Sequence, residues 1–175
     1  MSKTTGIQPI AKHGKVLIVD DEEDLRETVK LILESKGINV ETAENGKAGL
    51  VALENEKFDM ILSDLSMPIM TGLEFLENLR ARNDSTPFVF YSAFYEKKLL
   101  DQAMRLEAFD FLAKPVTPDQ LLLAVDNAAL VGVLQRKIAY IQEQNNPTLS
   151  AFIAEYEGQI TKLCLQNYLS DSDKR

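Results

Sequence analysis

Residues 15–21 read Lys-Val-Leu-Ile-Val-Asp-Asp, an unbroken apolar run that stops at two acids. A strand that is covered on both faces of a sheet is apolar throughout, whereas a strand covered on one face alternates with polar residues. The run is also rich in β-branched side chains, which favour strands. It therefore predicts a buried strand of a parallel sheet, with Asp20 and Asp21 at its carboxyl end.

A helix is predicted directly after this strand, and the same unit recurs along the chain. Leu25, Val29 and Leu33 repeat at helical spacing, acids occupy the first turn, and Gly37 is placed to end the helix. Further strands are predicted at 38–43, 60–62, 87–91 and 109–112, and further helices at 45–56, around 73–79, around 99–104 and from 121 onward. In the second helix, Ala48, Val51 and Ala52 follow the helical repeat. Five such units over residues 15–130 predict an α/β fold with a doubly wound parallel sheet.

Composition narrows the class of function. The 175 residues carry a formal net charge of −8, which disfavours DNA or RNA as a partner because phosphate binding needs a surplus of Lys and Arg. The single cysteine, Cys164, excludes an internal disulfide and a cysteine zinc site. No signal peptide or membrane-length apolar run is present, so we expect a cytoplasmic protein that does not bind membranes. His13, the one histidine, lies in a polar arm over residues 1–14 and receives no role.

Polar side chains follow four of the five predicted strands, at the sheet edge where ligands bind in this class of fold. A single Asp after a strand is more often a turn former than a ligand, but here several groups share one edge. They are Asp20, Asp21, Asp64, Ser92 and Lys114. Three neighbouring carboxylates repel, so either one holds a proton or the site binds a hard cation, and oxygen ligands suit Mg²⁺.

Such a site suits phosphoryl transfer. Magnesium usually combines one or two carboxylates with phosphate oxygens, which makes Asp64 the natural nucleophile. Lys114 and the Ser92 hydroxyl could share with Mg²⁺ the work of neutralising the phosphoryl oxygens.

Four motifs at these strand ends occur in the order found in one known family. They are Asp20-Asp21-Glu22, Ser63-Asp64-Leu65-Ser66-Met67-Pro68 with Gly72, Tyr91-Ser92-Ala93, and Phe111-Leu112-Ala113-Lys114-Pro115. On these residues, the segment 15–130 resembles the receiver domain of two-component response regulators. The resemblance implies a flavodoxin-like fold with strand order 2-1-3-4-5.

The resemblance also implies a role for each motif residue. Asp64 would be the phosphoacceptor, and Asp20, Asp21, Asp64 and the Ser66 carbonyl would hold Mg²⁺, Asp20 through a water molecule. Lys114 would bind a phosphoryl oxygen, Ser92 would turn its hydroxyl toward the phosphoryl group, and Phe111 would swing inward as the switch. The bond between Lys114 and Pro115 would be cis.

The implied function is a phosphorylation-controlled switch of a protein-interaction surface, not a conventional enzyme, with self-dephosphorylation returning it to rest. The phosphodonor would be a sensor histidine kinase or a phosphotransfer protein. Phe94, two residues after Ser92, either shields the acyl phosphate from water or is a lone exposed apolar residue.

Residues 131–175 form a predicted helical extension. Leu130, Leu134, Ile138 and Ile141 continue a helical stripe, Asn145-Asn146-Pro147 interrupts it, and a second amphipathic helix is predicted from Thr148. Cys164 lies on the apolar stripe of that second helix and is interpreted as a core residue. Helices that cannot bury their stripes by themselves pack on the receiver or on another protein, and we expect homodimerisation here. Residues 116–175 carry more acids than bases, which disfavours a DNA-binding output.

The sequence disfavours three other functions. A constitutive dimeric scaffold or adaptor would use the same fold without phosphorylation, and the intact acids argue against it. A haloacid-dehalogenase-type phosphatase needs an Asp-x-Asp spacing, whereas Asp20 and Asp21 are adjacent. A flavin-binding module of similar topology would need hydroxyl-rich and aromatic loops where this sequence is acidic.

Overall fold

The computed structural model describes residues 14–93 and 96–143, with side-chain surroundings given as far as residue 140. Strands and helices alternate strictly along this part of the chain. They are β1 (Lys15–Val19), α1 (Glu23–Glu34), β2 (Asn39–Ala43), α2 (Gly46–Asn55), β3 (Met60–Ser63), α3 (Gly72–Ala81), β4 (Phe88–Ser92), α4 (Lys97–Arg105), β5 (Asp110–Ala113) and α5 (Pro118–Glu143). The predicted elements are confirmed, with ends that differ by one or a few residues.

The five strands form one parallel sheet in the order β2-β1-β3-β4-β5, which confirms the predicted fold class and strand order. Val19 pairs with Ala43 on one side and with Ser63 on the other, so β1 lies at the centre of the first three strands. Because the chain leaves β1 toward β2 and returns to β3 on the opposite side, the strand order switches at β1 and β3. This switch places a crevice at their carboxyl ends.

Two apolar layers cover the two faces of the sheet. Val16 and Ile18 point into a core shared with α1 and α5, whereas Leu17 and Val19 point into a core shared with α2, α3 and α4. Neighbouring residues of a strand face opposite sides, so a strand inside such a sandwich needs apolar residues at every position. This explains the unbroken run at residues 16–19.

Helix α2 follows the predicted pattern at Ala48 and Ala52, which pack against the core, but not at Val51. Gly49 and Leu50 are buried, whereas Val51 is 52% exposed. A Cβ atom added at Gly49 would lie 2.8 Å from the Phe75 ring, so the helix approaches α3 at a distance that only glycine allows. Close packing therefore sets the buried face of α2, and the prediction from Val51 was wrong.

Helix α5 continues without a break past the predicted domain boundary at residue 130. Leu130 is partly exposed, but Leu134 and Ile138 are buried, as the helical stripe predicted. The second predicted helix, from Thr148, lies outside the described residues, as do His13, Phe94 and Cys164.

The amino-terminal edge of the sheet contacts the later part of α5. The Asp59 side chain, 1% exposed, accepts a hydrogen bond from the Lys15 backbone N–H at 2.7 Å through Oδ2. Its Oδ1 forms an ion pair with Nη2 of Arg136 at 2.6 Å, although not with the geometry of a hydrogen bond. Among the described helices, none is long and apolar enough to span a membrane.

Candidate functional site

The sheet brings the predicted site residues to one edge. Asp20 and Asp21 follow β1, Asp64 follows β3, Ser92 is the last residue of β4, and Lys114 follows β5. The carboxyl ends of neighbouring parallel strands lie side by side, so these groups surround the crevice at β1 and β3. Each of these residues reaches the crevice because of where its strand ends and where that strand lies in the sheet.

Asp20 is buried and hydrogen-bonded in the turn between β1 and α1. Its side chain is 3% exposed, and Oδ1 accepts a hydrogen bond from the Glu22 N–H at 2.9 Å. Its backbone carbonyl accepts a hydrogen bond from Nη1 of Arg26 at 2.6 Å. Asp21, the next residue, has an exposed side chain. The turn therefore presents one buried and one solvent-facing carboxylate.

Asp64 is the second buried carboxylate of the site. Its N–H donates to the Val19 carbonyl at 2.8 Å, which fixes the residue beside the end of β1. Oδ2 accepts a hydrogen bond from the Ser66 N–H at 2.7 Å, and the residue is 7% exposed. The carboxylate is thus oriented by the backbone of its own loop.

Gly72 explains part of the motif after Asp64. A Cβ atom added there would lie 2.1 Å from the Asp64 carbonyl oxygen, and the Gly72 N–H donates to the Leu65 carbonyl at 3.0 Å. The first turn of α3 therefore packs directly on the backbone of the phosphoacceptor candidate. Thr71 and Glu74 form a capping box that fixes the start of the same helix.

Lys114 joins the two buried carboxylates. Its Nζ donates to Oδ2 of Asp20 at 2.9 Å and to Oδ1 of Asp64 at 3.0 Å. Burial of the ammonium favours a lower pKa, but the hydrogen bonds and charges of Asp20 and Asp64 outweigh it and raise the Lys114 pKa above its ordinary value. The cis bond between Lys114 and Pro115 confirms the expectation from the resemblance.

Ser92 and Phe111 lie beside this cluster. Ser92 is fully buried, and its carbonyl accepts a hydrogen bond from the Lys114 N–H at 2.9 Å. The Phe111 side chain is partly buried, and its ring centroid lies 5.8 Å from that of Phe90. Phe111 thus packs on the α2–α4 side of the sheet while Lys114, three residues later, reaches the site.

Two features of the site were missed in the sequence. The Arg26 guanidinium donates to the Asp20 carbonyl. Arg26 lies six residues after Asp20, in the first turns of the following helix, and this spacing is a signal that could have suggested the contact. Lys114 Nζ lies over the Tyr91 ring, 4.7 Å from its centroid. Tyr91 belongs to the motif Tyr91-Ser92-Ala93, but its contact with Lys114 was not predicted, because Tyr91 sits in an apolar strand run and reads as a core residue.

Two of the three predicted carboxylates, those of Asp20 and Asp64, are placed so that they could bind one hard divalent cation. Asp20 and Asp64 both reach the same ammonium nitrogen, so a single cation can bind both. Within residues 14–93 and 96–143, no three His, Cys, Asp or Glu side chains form a group that could hold a metal ion. The exposed Asp21 is therefore not gathered with the other two, and Lys114 supplies the positive charge between them.

Comparison with known proteins agrees with this geometry. The family model for the response regulator receiver domain matches residues 16–126. The chain is 32% identical over 136 residues to the DNA-binding transcriptional regulator NtrC of Salmonella typhimurium, an alignment that covers 78% of this chain and 27% of NtrC. It is 30% identical over 130 residues to the regulatory protein AtoC of Escherichia coli, covering 74% of this chain and 28% of AtoC.

Among solved structures, the chemotaxis response regulator CheY4 of Vibrio cholerae superposes with a TM-score of 0.62 at 32% identity. That alignment covers 66% of this chain and 98% of CheY4. The chain therefore spans little more than a quarter of the length of NtrC and AtoC, but the CheY4 structure is covered almost completely.

Proposed function

This chain belongs to the family of response regulator receiver domains, and we propose that it accepts a phosphoryl group on Asp64 and thereby switches a protein-interaction surface. Receiver domains are signalling switches of two-component systems. The observation that carries the proposal is the setting of Asp64, a buried carboxylate between the Ser66 N–H at 2.7 Å and the Lys114 ammonium at 3.0 Å. A nucleophile held between donors in this way is positioned before the phosphodonor arrives.

The transfer itself needs few groups. A carboxylate oxygen of Asp64 attacks the phosphorus atom, and the bond from phosphorus to the donor breaks, with the electron pair leaving on the donor atom. Because the attacking group is a carboxylate, no general base has to remove a proton from it. Most of the catalytic work is then positioning and neutralisation of the phosphoryl oxygens.

The residues of this chain divide that work. Lys114 would move from the Asp64 carboxylate to a phosphoryl oxygen, and the Ser92 hydroxyl would bind another. Asp20, Asp64 and the Ser66 carbonyl, together with Asp21 once its exposed side chain turns toward them, would hold Mg²⁺, which would supply positive charge to further phosphoryl oxygens. Phe111, packed on Phe90, would move inward when Ser92 turns toward the phosphoryl group. The response is then a shift between two pre-existing states of the surface formed by α4, β5 and α5.

The partners proposed for this site follow from its chemistry. A phosphohistidine of a sensor histidine kinase or of a phosphotransfer protein would supply the phosphoryl group, and a slow hydrolysis at Asp64 would reset the switch. We place this reaction in the cytoplasm. NtrC is named a DNA-binding regulator, so the expectation from charge that this chain does not bind DNA stays a prediction, which a mobility-shift assay would test.

We propose further that residues 131–175 support a homodimer. The described part of this segment continues α5 as far as Glu143 and leaves Tyr140 64% exposed. The alternative is a constitutive dimeric scaffold, in which the same assembly forms without any phosphorylation. The two candidates differ in one observable, which is covalent modification of Asp64.

The test is intact mass spectrometry after incubation with acetyl phosphate and Mg²⁺. Asp64→Asn is the negative control, and Asp101→Asn, at an exposed acid on α4, is the matched control. We expect a phosphoryl adduct in the wild type and in Asp101→Asn but not in Asp64→Asn. Light scattering on the same samples reports whether modification changes the size of the assembly. If acetyl phosphate and a panel of phosphorylated kinases all leave the wild type unmodified while it is dimeric, the scaffold alternative replaces the switch.

A further inference from the structure

The Lys114 ammonium has a third contact besides its two carboxylates. Tyr91 immediately precedes Ser92 in β4, is 8% exposed, and places its ring under Nζ of Lys114, with 4.7 Å between the nitrogen and the ring centroid. In the sheet register, Tyr91 pairs with Leu112, two residues before Lys114. The ring therefore comes from the neighbouring strand and supports the ammonium from the side of the α1 and α5 core.

The ring is a neutral and stable surface for a cation. Burial raises the pKa of the Tyr91 hydroxyl, the Lys114 charge lowers it, and the charges of Asp20, Asp64 and Glu22 raise it again, with a net upward direction. The phenol therefore stays protonated at neutral pH, and its ring face attracts the ammonium through its quadrupole.

This contact differs from the carboxylate contacts in one respect. When Asp64 takes a phosphoryl group, the carboxylate that accepts from Lys114 becomes part of an acyl phosphate, and Asp20 would be one of the residues that hold Mg²⁺. Both carboxylate partners of Lys114 thus change during the reaction, whereas the Tyr91 ring does not. A support that persists through the transfer keeps the ammonium near the place where phosphoryl charge develops.

We propose that Tyr91 is a positioning residue for phosphoryl transfer, which holds the Lys114 ammonium at the site through its aromatic ring. The proposal rests on Asp64 being the phosphoacceptor. It concerns the ring face and not the hydroxyl, so it predicts that a ring without a hydroxyl suffices. It also predicts that the effect vanishes when the ammonium is absent.

The first test compares the rate of Asp64 phosphorylation by acetyl phosphate and Mg²⁺ in three variants. Tyr91→Phe keeps the ring and should retain the wild-type rate within about twofold, whereas Tyr91→Leu should lose about fivefold or more. Phe88→Leu, which removes a buried ring from the same strand away from Lys114, is the matched control and should not slow the reaction comparably. A Tyr91→Phe variant as slow as Tyr91→Leu would assign the role to the hydroxyl and overturn the proposal.

The second test separates the ring electrostatics from packing. Phenylalanine analogues with one, two and three ring fluorines at position 91 weaken the quadrupole stepwise with little change in shape. We expect the logarithm of the phosphorylation rate to fall with each fluorine, and to stay flat along the series in a Lys114→Met background. A series that is flat with Lys114 present overturns the role of Tyr91 while leaving Asp64 phosphorylation intact. An unmodified wild type instead overturns the proposed function and this inference together.

Discussion

At the scale of single residues, the buried carboxylates of the site outnumber the ammonium groups that pair with them. One ammonium, that of Lys114, is shared by two carboxylates that are 3% and 7% exposed. Buried charges are tolerated only when they are paired and hydrogen-bonded, so the cluster depends on Lys114 in the absence of metal. The negative charge that Lys114 leaves uncompensated also favours the binding of a divalent cation.

We therefore predict that Lys114→Met destabilises the metal-free protein by about 3 kcal/mol, since it leaves two buried carboxylates without their cation. Urea unfolding in EDTA measures this. Lys97→Met, at an exposed lysine of α4, is the matched control and should change the free energy of unfolding by no more than about 0.5 kcal/mol. Adding Asp64→Asn to Lys114→Met should restore part of the loss, because one uncompensated charge is then removed. Equal stability of Lys114→Met and the wild type would contradict this account of the cluster.

At the scale of elements, α5 has two different surroundings along its length. Its first turns pack Leu121 and Val125 against the core beside α1, whereas its later turns approach the amino-terminal edge of the sheet. There Gly132 lies against the backbone of Asp59, and Arg136 pairs with the Asp59 carboxylate. The later turns thus contact the opposite end of β3 from Asp64.

At Gly132 we predict that substitution by alanine destabilises the protein, although Gly→Ala inside a helix usually stabilises it. Glycine in a helix interior costs about 1 kcal/mol relative to alanine, so Gly→Ala normally stabilises. At Gly132 an added Cβ would lie 1.7 Å from the Asp59 carbonyl oxygen, so Gly132→Ala must push the helix away. We expect a loss of about 1–3 kcal/mol in the free energy of unfolding, as for other overpacked sites.

The control for this prediction is Ala139→Gly, at an exposed position of the same helix, which should show the ordinary cost of about 1 kcal/mol. Hydrogen exchange of residues 131–143 locates the effect, because protection should fall there first in Gly132→Ala. If Gly132→Ala is instead more stable than the wild type, the later turns of α5 do not dock on Asp59 in solution.

At the scale of the whole molecule, the sequence predicted most of the fold because its signals were local and strong. Buried parallel strands are apolar at every position, as at residues 16–19, and four of the five strands end at or just before a polar residue that the topology brings to the site. The places where a helix packs closely on another element left no such signal in the sequence. Gly49 and Gly132 look like residues that weaken a helix, yet Gly49 lies against the Phe75 ring and Gly132 against the Asp59 backbone. Tyr91 was missed for a related reason, since its partner Lys114 is 23 residues away and joins it only through the pairing of β4 and β5.

The same molecule-wide view predicts how metal binding and folding are coupled. The candidate ligands come from β1 and β3 and meet only in the folded sheet, so Mg²⁺ should bind the folded chain and stabilise it by mass action. Above the dissociation constant, each tenfold increase in Mg²⁺ should add about 1.4 kcal/mol to the free energy of unfolding. Urea midpoints over a range of Mg²⁺ concentrations, with EDTA as the metal-free reference, measure the slope. Asp21→Asn should weaken the site and so move the onset of this slope to a higher Mg²⁺ concentration, whereas Asp101→Asn should leave the onset unchanged. An onset that is unchanged in Asp21→Asn would mean that the stabilising cation binds without Asp21 and that the proposed ligand set is wrong at that residue.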